Sequence, residues 1–417
     1  MAEFFNVLPP DDARELLLRH IRPIDEIERV ATADALGRVT AEALFAPHAL
    51  PTFRRSTMDG YALRAADSHG ATDSLPALLR VVGEVAMGRA ADVPFRQPGQ
   101  AVIVHTGGML PDWADAVAPV EHTQIVATVA EPGENEIELY RACAAGQNVI
   151  QIGEDVAQNG EVLPQGTPLR PQDIGGLLAF GITAIAVTRR PRIAILATGD
   201  EVVPPEATPE PGQIRDINSY TIGGLCRRAG GLPQSWGIIA DDLPALLAAT
   251  GAALAQSDML VITAGSSVSA RDMTVQAIAA LGRPGVLLHG VATRPGKPTI
   301  LGAIDGKPVL GLPGNPVSAM VQFDMLGVPA IYRLQGATSR PPRSRIWATL
   351  TQNVPSESGR EDYVPARLTE TAAGYTTTPV FGKSNLIFTL VQTDGLIKVP
   401  LNKGGLLAGE TVEVILF

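Results

Sequence analysis

Cysteine is almost absent: only Cys143 and Cys226 occur in 417 residues. That excludes a disulfide framework and a CxxC metal knuckle, and it suits a reducing, cytoplasmic setting. Histidine is scarce too, with six in the chain and none in HxH or HExxH spacing, which argues against a dedicated zinc site. Basic charge is in deficit: 33 Lys and Arg stand against 43 Asp and Glu, a formal net charge of −10. A sequence-independent grip on nucleic acid needs a basic surface, so no nucleic-acid partner is expected. Anionic ligands must then be held by local devices such as helix ends, a few Arg or Lys, or a divalent cation. Long apolar runs are also missing. Nothing approaches the ~18 residues of a membrane helix, and the start, MAEFFNVLPPDDARELLL, is acidic and amphipathic without a signal core. No membrane partner is expected.

What is abundant is glycine (42) and proline (34), spread along a chain too long for one ordinary core. Residues 9–45 read as helical, with one helix starting at Asp11 or Asp12 and a second over Ile24–Leu36. Between Ala46 and Tyr140, glycines and prolines punctuate short β-like runs, a compact all-β unit. Residues 141–187 carry turns and a helix over Pro171–Phe180. From Arg192 (RIAILA) strands alternate with helices, the mark of a doubly wound α/β sheet. The tail from Ala337 is β again, including runs at Leu386–Val391 and Gly395–Val399. The expected organisation is an elongated N-terminal domain (1–45 plus 141–187), an inserted β domain (46–140), an α/β domain (188–336) and a C-terminal β domain (337–417).

The most informative stretch is PVLGLPGNPVSA (308–319). Val309–Leu312 has the texture of a buried parallel strand. Pro313-Gly314-Asn315-Pro316 breaks it, Asn315 suits a helix N-cap, and Pro316 suits the first helical position. A helix start after a strand offers backbone N–H groups to an oxyanion, and Ser318 adds a hydroxyl. In open α/β sheets, ligands sit at the carboxyl ends of strands. Two further polar clusters fall at such ends: Thr198-Gly199-Asp200-Glu201 and the run Ala264–Asp272, which holds Ser267. The segment TRPGKP (293–298) adds Arg294 and Lys297. Glu201 and Asp272, with Asp200 or the Asp241–Asp242 pair, supply hard oxygen ligands of the kind that hold Mg²⁺ beside phosphate. Each group also has a plainer use, as a cap, a solvated loop or a surface charge.

Taken together these segments resemble the molybdopterin molybdotransferase (MoeA-type) family, related to the gephyrin E domain. The resembling blocks run in family order: STMDGYALR (56–64), HTGGMLPDWADAV (105–117), GEDVAQNGEVL (153–163), ILATGDEVVPP (195–205), PGQIRDIN (211–218), TAGSSVSARD (263–272), TRPGKP (293–298) and GLPGNPVSA (311–319). The resemblance implies a multidomain α/β protein: a Rossmann-like molybdopterin-binding domain, an elongated helical/β domain, an inserted β domain and a C-terminal β-barrel. It implies a homodimer with an intersubunit active site, the STMDGYA loop of one subunit facing the α/β domain of the other. The implied reaction inserts molybdate into adenylylated molybdopterin with Mg²⁺-dependent release of AMP. Glu201 and Asp272 would hold the metal. Asp59, Asp155 and Asp242 would join them as catalytic acids. Thr106, Thr198, Gly199, Ser267, Arg294, Lys297, Pro313, Gly314, Asn315 and Ser318 would bind the substrates. The molybdopterin adenylyltransferase and molybdoenzyme chaperones are the implied protein partners. One block departs from the pattern: TAGSSVSARD has Ala264 and Ser269 where the family carries glycine. A tungstate-specific homologue, and a non-catalytic pterin- or partner-binding module, are the alternatives.

Overall fold

The computed structural model describes residues 7–128, 135–264 and 268–417. The chain divides into two compact units, one of residues 1–42, 164–175 and 182–417, the other of residues 43–163 and 176–181.

The larger unit is built on a mixed six-stranded sheet. Leu232–Ile239, Arg192–Thr198, Met259–Ala264 and Lys307–Pro313 run parallel, in that order, and Ile300–Ile304 and Pro284–His289 complete one edge. Alternation along Arg192–Thr198 explains why this sheet is covered on both faces. Ile193 and Ile195 join a cluster with Ala13, Leu17, Ile222 and Phe323, while Ala194 and Leu196 join Leu246, Ala253, Ala277 and Ile278. The helices Pro10–Arg19, Asn218–Arg228 and Pro316–Gln322 therefore pack on one side, and Leu243–Gln256 and Val268–Ala280 on the other. The sheet is not wholly parallel as a doubly wound sheet would be: Ile300–Ile304 is antiparallel to Lys307–Pro313. The reason is the Asp305-Gly306 pair between them, both at positive φ (50° and 88°), the two-residue turn that a right-twisted hairpin prefers.

The tail of this unit closes a five-stranded barrel. Glu361–Thr371 pairs with Gly374–Pro379, and the ring continues through Arg345–Leu350, Thr411–Leu416 and Gly395–Val399 back to Glu361–Thr371. Thr293–Arg294 adds to the edge of this barrel beside Glu361 and Asp362.

The smaller unit carries a second six-stranded sheet, in the order Ala116–Pro119, Gly60–Leu63, Gln100–Val104, Ala77–Glu84, Asn135–Leu139, Thr123–Thr128. Gly60 lies against the Ala118 backbone so closely that no side chain fits there.

Two local expectations are overturned. The second helix expected over Ile24–Leu36 is a strand, Ile27–Ala31, paired antiparallel with Ala184–Thr188. Pro23 ends helical continuity, and a partner strand distant in sequence decides what Ile27 and Val30 become. The strand expected over Leu386–Val391 is a single helical turn, Phe388–Val391. Phe388 and Val391 stay exposed, so their apolar character reports no burial.

Candidate functional site

The carboxyl-end rim of the larger unit's sheet carries two cavities that share Asn315. The first, about 390 Å³, is lined by Thr198, Glu201, Asp216, Asn218, Thr263 and Gly314 among others. Thr198 ends its strand buried, and Gly199 turns the chain at φ 135°, in the left-handed half of backbone space. A Cβ on Gly199 would stand 2.6 Å from Glu201 Oε2, so glycine is what lets that carboxylate fold back over the turn. Asp200 accepts the Asp241 N–H at 3.1 Å. Burial, with the charges of Asp200 and Glu201, raises the Asp241 carboxyl above its ordinary value, and Asp241 Oδ1 is buried with no hydrogen-bond partner. Asp242 is otherwise engaged: Oδ2 accepts from Ala245 N at 2.9 Å and caps the helix Leu243–Gln256. The acid that meets Asp200 is thus Asp241, not Asp242.

The second cavity, about 560 Å³, lies between the Thr293–Pro298 segment, the Pro313–Ser318 turn and the barrel. Arg294, Lys297, Arg360 and Lys383 line it, with the Ser318 and Ser384 hydroxyls. The buried Asp362 holds Arg360 Nε at 2.9 Å and lies 3.9 Å from Arg294, so one carboxylate anchors two guanidinium groups. Asn315 occupies the N-cap position of Pro316–Gln322 but makes no side-chain cap. Its Nδ2 donates to Ser384 Oγ at 3.0 Å, and Val317 N donates to the Ser384 carbonyl at 3.1 Å. The bare helix end expected from the sequence is therefore covered, because the barrel loop satisfies its first free donor. Side-chain cations and hydroxyls are what this cavity offers an anion.

In the smaller unit, Asp59 Oδ1 accepts from Thr106 N at 2.8 Å and lies 3.3 Å from the Thr106 hydroxyl, which ties the STMDGYA loop to the HTGG turn. Asp155 is exposed, and its N–H donates to Leu50 O. Asp272 is an exposed residue of the helix Val268–Ala280 and lines neither cavity, and Ser267 lies outside the described residues.

Three family signatures match in chain order: the MoeA N-terminal region (domain I and II) over residues 8–181, the "Probable molybdopterin binding domain" over 194–333, and the MoeA C-terminal region (domain IV) over 348–417. The chain belongs to the MoeA family. It is similar to the molybdopterin molybdenumtransferase of Bacillus subtilis, 32% identical over 417 residues that cover 100% of this chain and 95% of that protein. Molybdopterin molybdenumtransferase 2 of Mycobacterium tuberculosis is 31% identical over 95% of this chain and 96% of its own. A crystal structure of a molybdopterin biosynthesis MoeA protein from Pyrococcus horikoshii superposes with a TM-score of 0.82, at 30% identity, over 99% of this chain and 100% of that one.

For this MoeA-family chain, motif reading passed over the barrel's contribution, Arg360, Lys383 and Ser384. No strand-end signal marks them, since they reach the cavity only through the closure of a separate barrel. Asp216 and Asn218 were inside a quoted block yet given no task.

Asp200, Glu201 and Asp241 form a rim of hard oxygen ligands. Burial and the charges of Asp200 and Glu201 raise Asp241, one buried Asp241 oxygen lacks a donor, and among the described residues no set of three His, Cys, Asp or Glu is placed to hold a metal on its own. Mg²⁺ favours such partial shells, which leave places for water and phosphate oxygens. A pH dependence follows. Because folding raises Asp241 above its usual 3.8, the metal-free protein is more stable when that carboxyl is protonated, and this advantage is lost as pH rises through the folded-state value. Millimolar Mg²⁺ should raise the thermal midpoint at pH 7 and leave it unchanged near pH 3.5. Calorimetric scans with and without Mg²⁺ check this, and an equal shift at both pH values counts against the acid rim.

Proposed function

We propose that this protein inserts molybdate into adenylylated molybdopterin with Mg²⁺-dependent release of AMP. The coarser statement rests on full-length relatives: the chain is a molybdopterin molybdenumtransferase, an enzyme of molybdenum cofactor biosynthesis. The observation that carries the finer reading is the pair of cavities on either side of Asn315, one cationic and one edged by carboxylates. Molybdate is a tetrahedral dianion, and Arg294, Lys297, Arg360 and Lys383 with the Ser318 and Ser384 hydroxyls offer it charge and donors in a chain that is otherwise acidic. Glu201 would hold Mg²⁺, with Asp200 and Asp241 beside it, whereas Asp272, which lines neither cavity, is assigned to the metal by the resemblance alone. Bound there, the ion supplies neutralisation of phosphate charge as the P–O bond breaks. Thr198 and Gly314 on one cavity, Pro313 on the other, Asn315 on both and Gly199 at the turn beside Glu201 would orient the substrates, so positioning does much of the catalytic work. Asp59, steadied by Thr106, and Asp155 are proposed as the remaining catalytic acids.

The decisive experiment incubates purified protein with adenylylated molybdopterin, Mg²⁺ and molybdate, with tungstate as a parallel arm. AMP release that depends on the oxyanion supports the reading. Tight pterin binding without turnover overturns it in favour of a binding module. The chain is also proposed to act as a homodimer with the intersubunit cleft that the resemblance implies. Light scattering should then report twice the 43.7 kDa chain mass, and a monomer mass removes that assembly. Two buried, unpaired thiols, Cys143 and Cys226, support a cytoplasmic setting.

A further inference from the structure

The acid-edged cavity holds two polar groups that the proposed chemistry does not use. Asp216 and Asn218 are each only 8% exposed and both line its wall. One Asp216 oxygen, Oδ1, accepts from Ser219 N at 3.1 Å, which leaves Oδ2 as a second acceptor. Asn218 Nδ2 donates to the Gly314 carbonyl at 2.8 Å, which fixes the amide's orientation, and Oδ1 is buried without a donor. A buried acceptor left unpaired is costly, and the cavity is the space from which a donor can come. Val202, Ile214 and Ile217 line the same cavity and offer apolar faces. A slot lined by these apolar side chains, by the Asp216 and Asn218 acceptors and by Arg215, Thr198 and Thr263 suits a flat heterocycle whose edge carries adjacent donors.

We infer that Asp216 and Asn218 read the amino-pyrimidinone edge of the pterin. This inference rests on the proposed function, since it assigns one part of that substrate to one wall of that site. The pterin edge presents a ring N–H and an exocyclic amino group side by side, a pair of donors for a carboxylate and an amide oxygen. The pairing edge of adenine presents one donor and one acceptor, and set against the Asp216 and Asn218 oxygens its ring nitrogen would face an acceptor. The discrimination comes from that mismatch: a site built to accept hydrogen bonds rejects a ligand that cannot donate them. Asn218 has a second effect. Because it is bonded to Gly314, pterin seated here also steadies the turn that the two cavities share.

The test is calorimetric titration of the full-length protein with free pterin, with lumazine (its 2,4-dioxo counterpart, which puts an oxygen where pterin has the amino group) and with AMP. Pterin should bind at least about tenfold more tightly than lumazine, as expected when a charged acceptor loses its donor, and AMP should not displace it. Asp216→Asn, which keeps the Ser219 contact, and Asn218→Ser should each bring the pterin-to-lumazine ratio close to one. If either variant fails to fold, the wild-type ratio decides. Equal affinity for pterin and lumazine, no pterin binding, or displacement of pterin by AMP overturns the inference. Oxyanion-dependent AMP release reports separately on the proposed function. Release without a pterin preference sinks only this inference, and a pterin preference without release sinks only the function.

Discussion

Replacing Glu201 with Gln should lower oxyanion-dependent AMP release by about a hundred- to a thousandfold, the usual cost of removing one preorganised electrostatic contact. The side chain is only half-buried, and no core cluster includes it, so the variant should fold like the wild type. The substitution is nearly isosteric. It keeps the contact with Gly199 and removes only the charge, so loss of turnover reports on charge rather than on shape. Less repulsion should also let Asp241 titrate nearer its ordinary value, because the Glu201 charge is one of the causes of its rise. The check is single-turnover AMP release together with a Mg²⁺ titration. Wild-type rates at low Mg²⁺ would remove the acid rim from the mechanism.

How much of this was legible in the sequence depends on how local the signal was. Arg192–Thr198 was readable because a continuous apolar run needs no distant partner. Ile27–Ala31 was not, since its pairing with Ala184–Thr188 decides it. The strand Ile300–Ile304 had a signal that went unused, the Asp305-Gly306 turn ahead of an apolar run. At the site, the segments bearing Arg294, Lys297 and Ser318 were found as motifs, and the structure sets all three on one cavity. Arg360 and Ser384 could not be found in that way. Proline, glycine and strand-end punctuation mark the sheet rim, whereas these two belong to a barrel whose register brings Asp362 beside Arg294. Asp241 and Asp242 show the same limit on a finer scale. The sequence offers two adjacent acids, and only the helix start determines which of them caps it and which is free to join the rim.

The second large effect is expected at a residue that lines neither cavity. Gln322 is fully buried, and its Nε2 donates to Thr293 Oγ1 at 2.9 Å and to the Pro295 carbonyl at 3.0 Å. It clamps the turn that carries Arg294 and Lys297 onto the helix Pro316–Gln322. Gly296, at φ 105°, makes that contact possible, because a Cβ there would sit 2.6 Å from Gln322 Cδ. Gln322→Leu conserves volume and strands the buried Thr293 Oγ1 and the partly buried Pro295 carbonyl while removing the buried, unpaired Gln322 Oε1, which should destabilise the protein by about 1–3 kcal/mol. The turn would then be free to move, and the cations with it. The KM for molybdate should rise about tenfold or more, since orientation is lost along with charge placement, while the pterin-to-lumazine ratio at the other cavity stays at its wild-type value. That split separates a positioning role from general unfolding, which would degrade both cavities together. A folded Gln322→Leu protein with unchanged KM for molybdate would show that the cationic wall keeps its shape without the clamp.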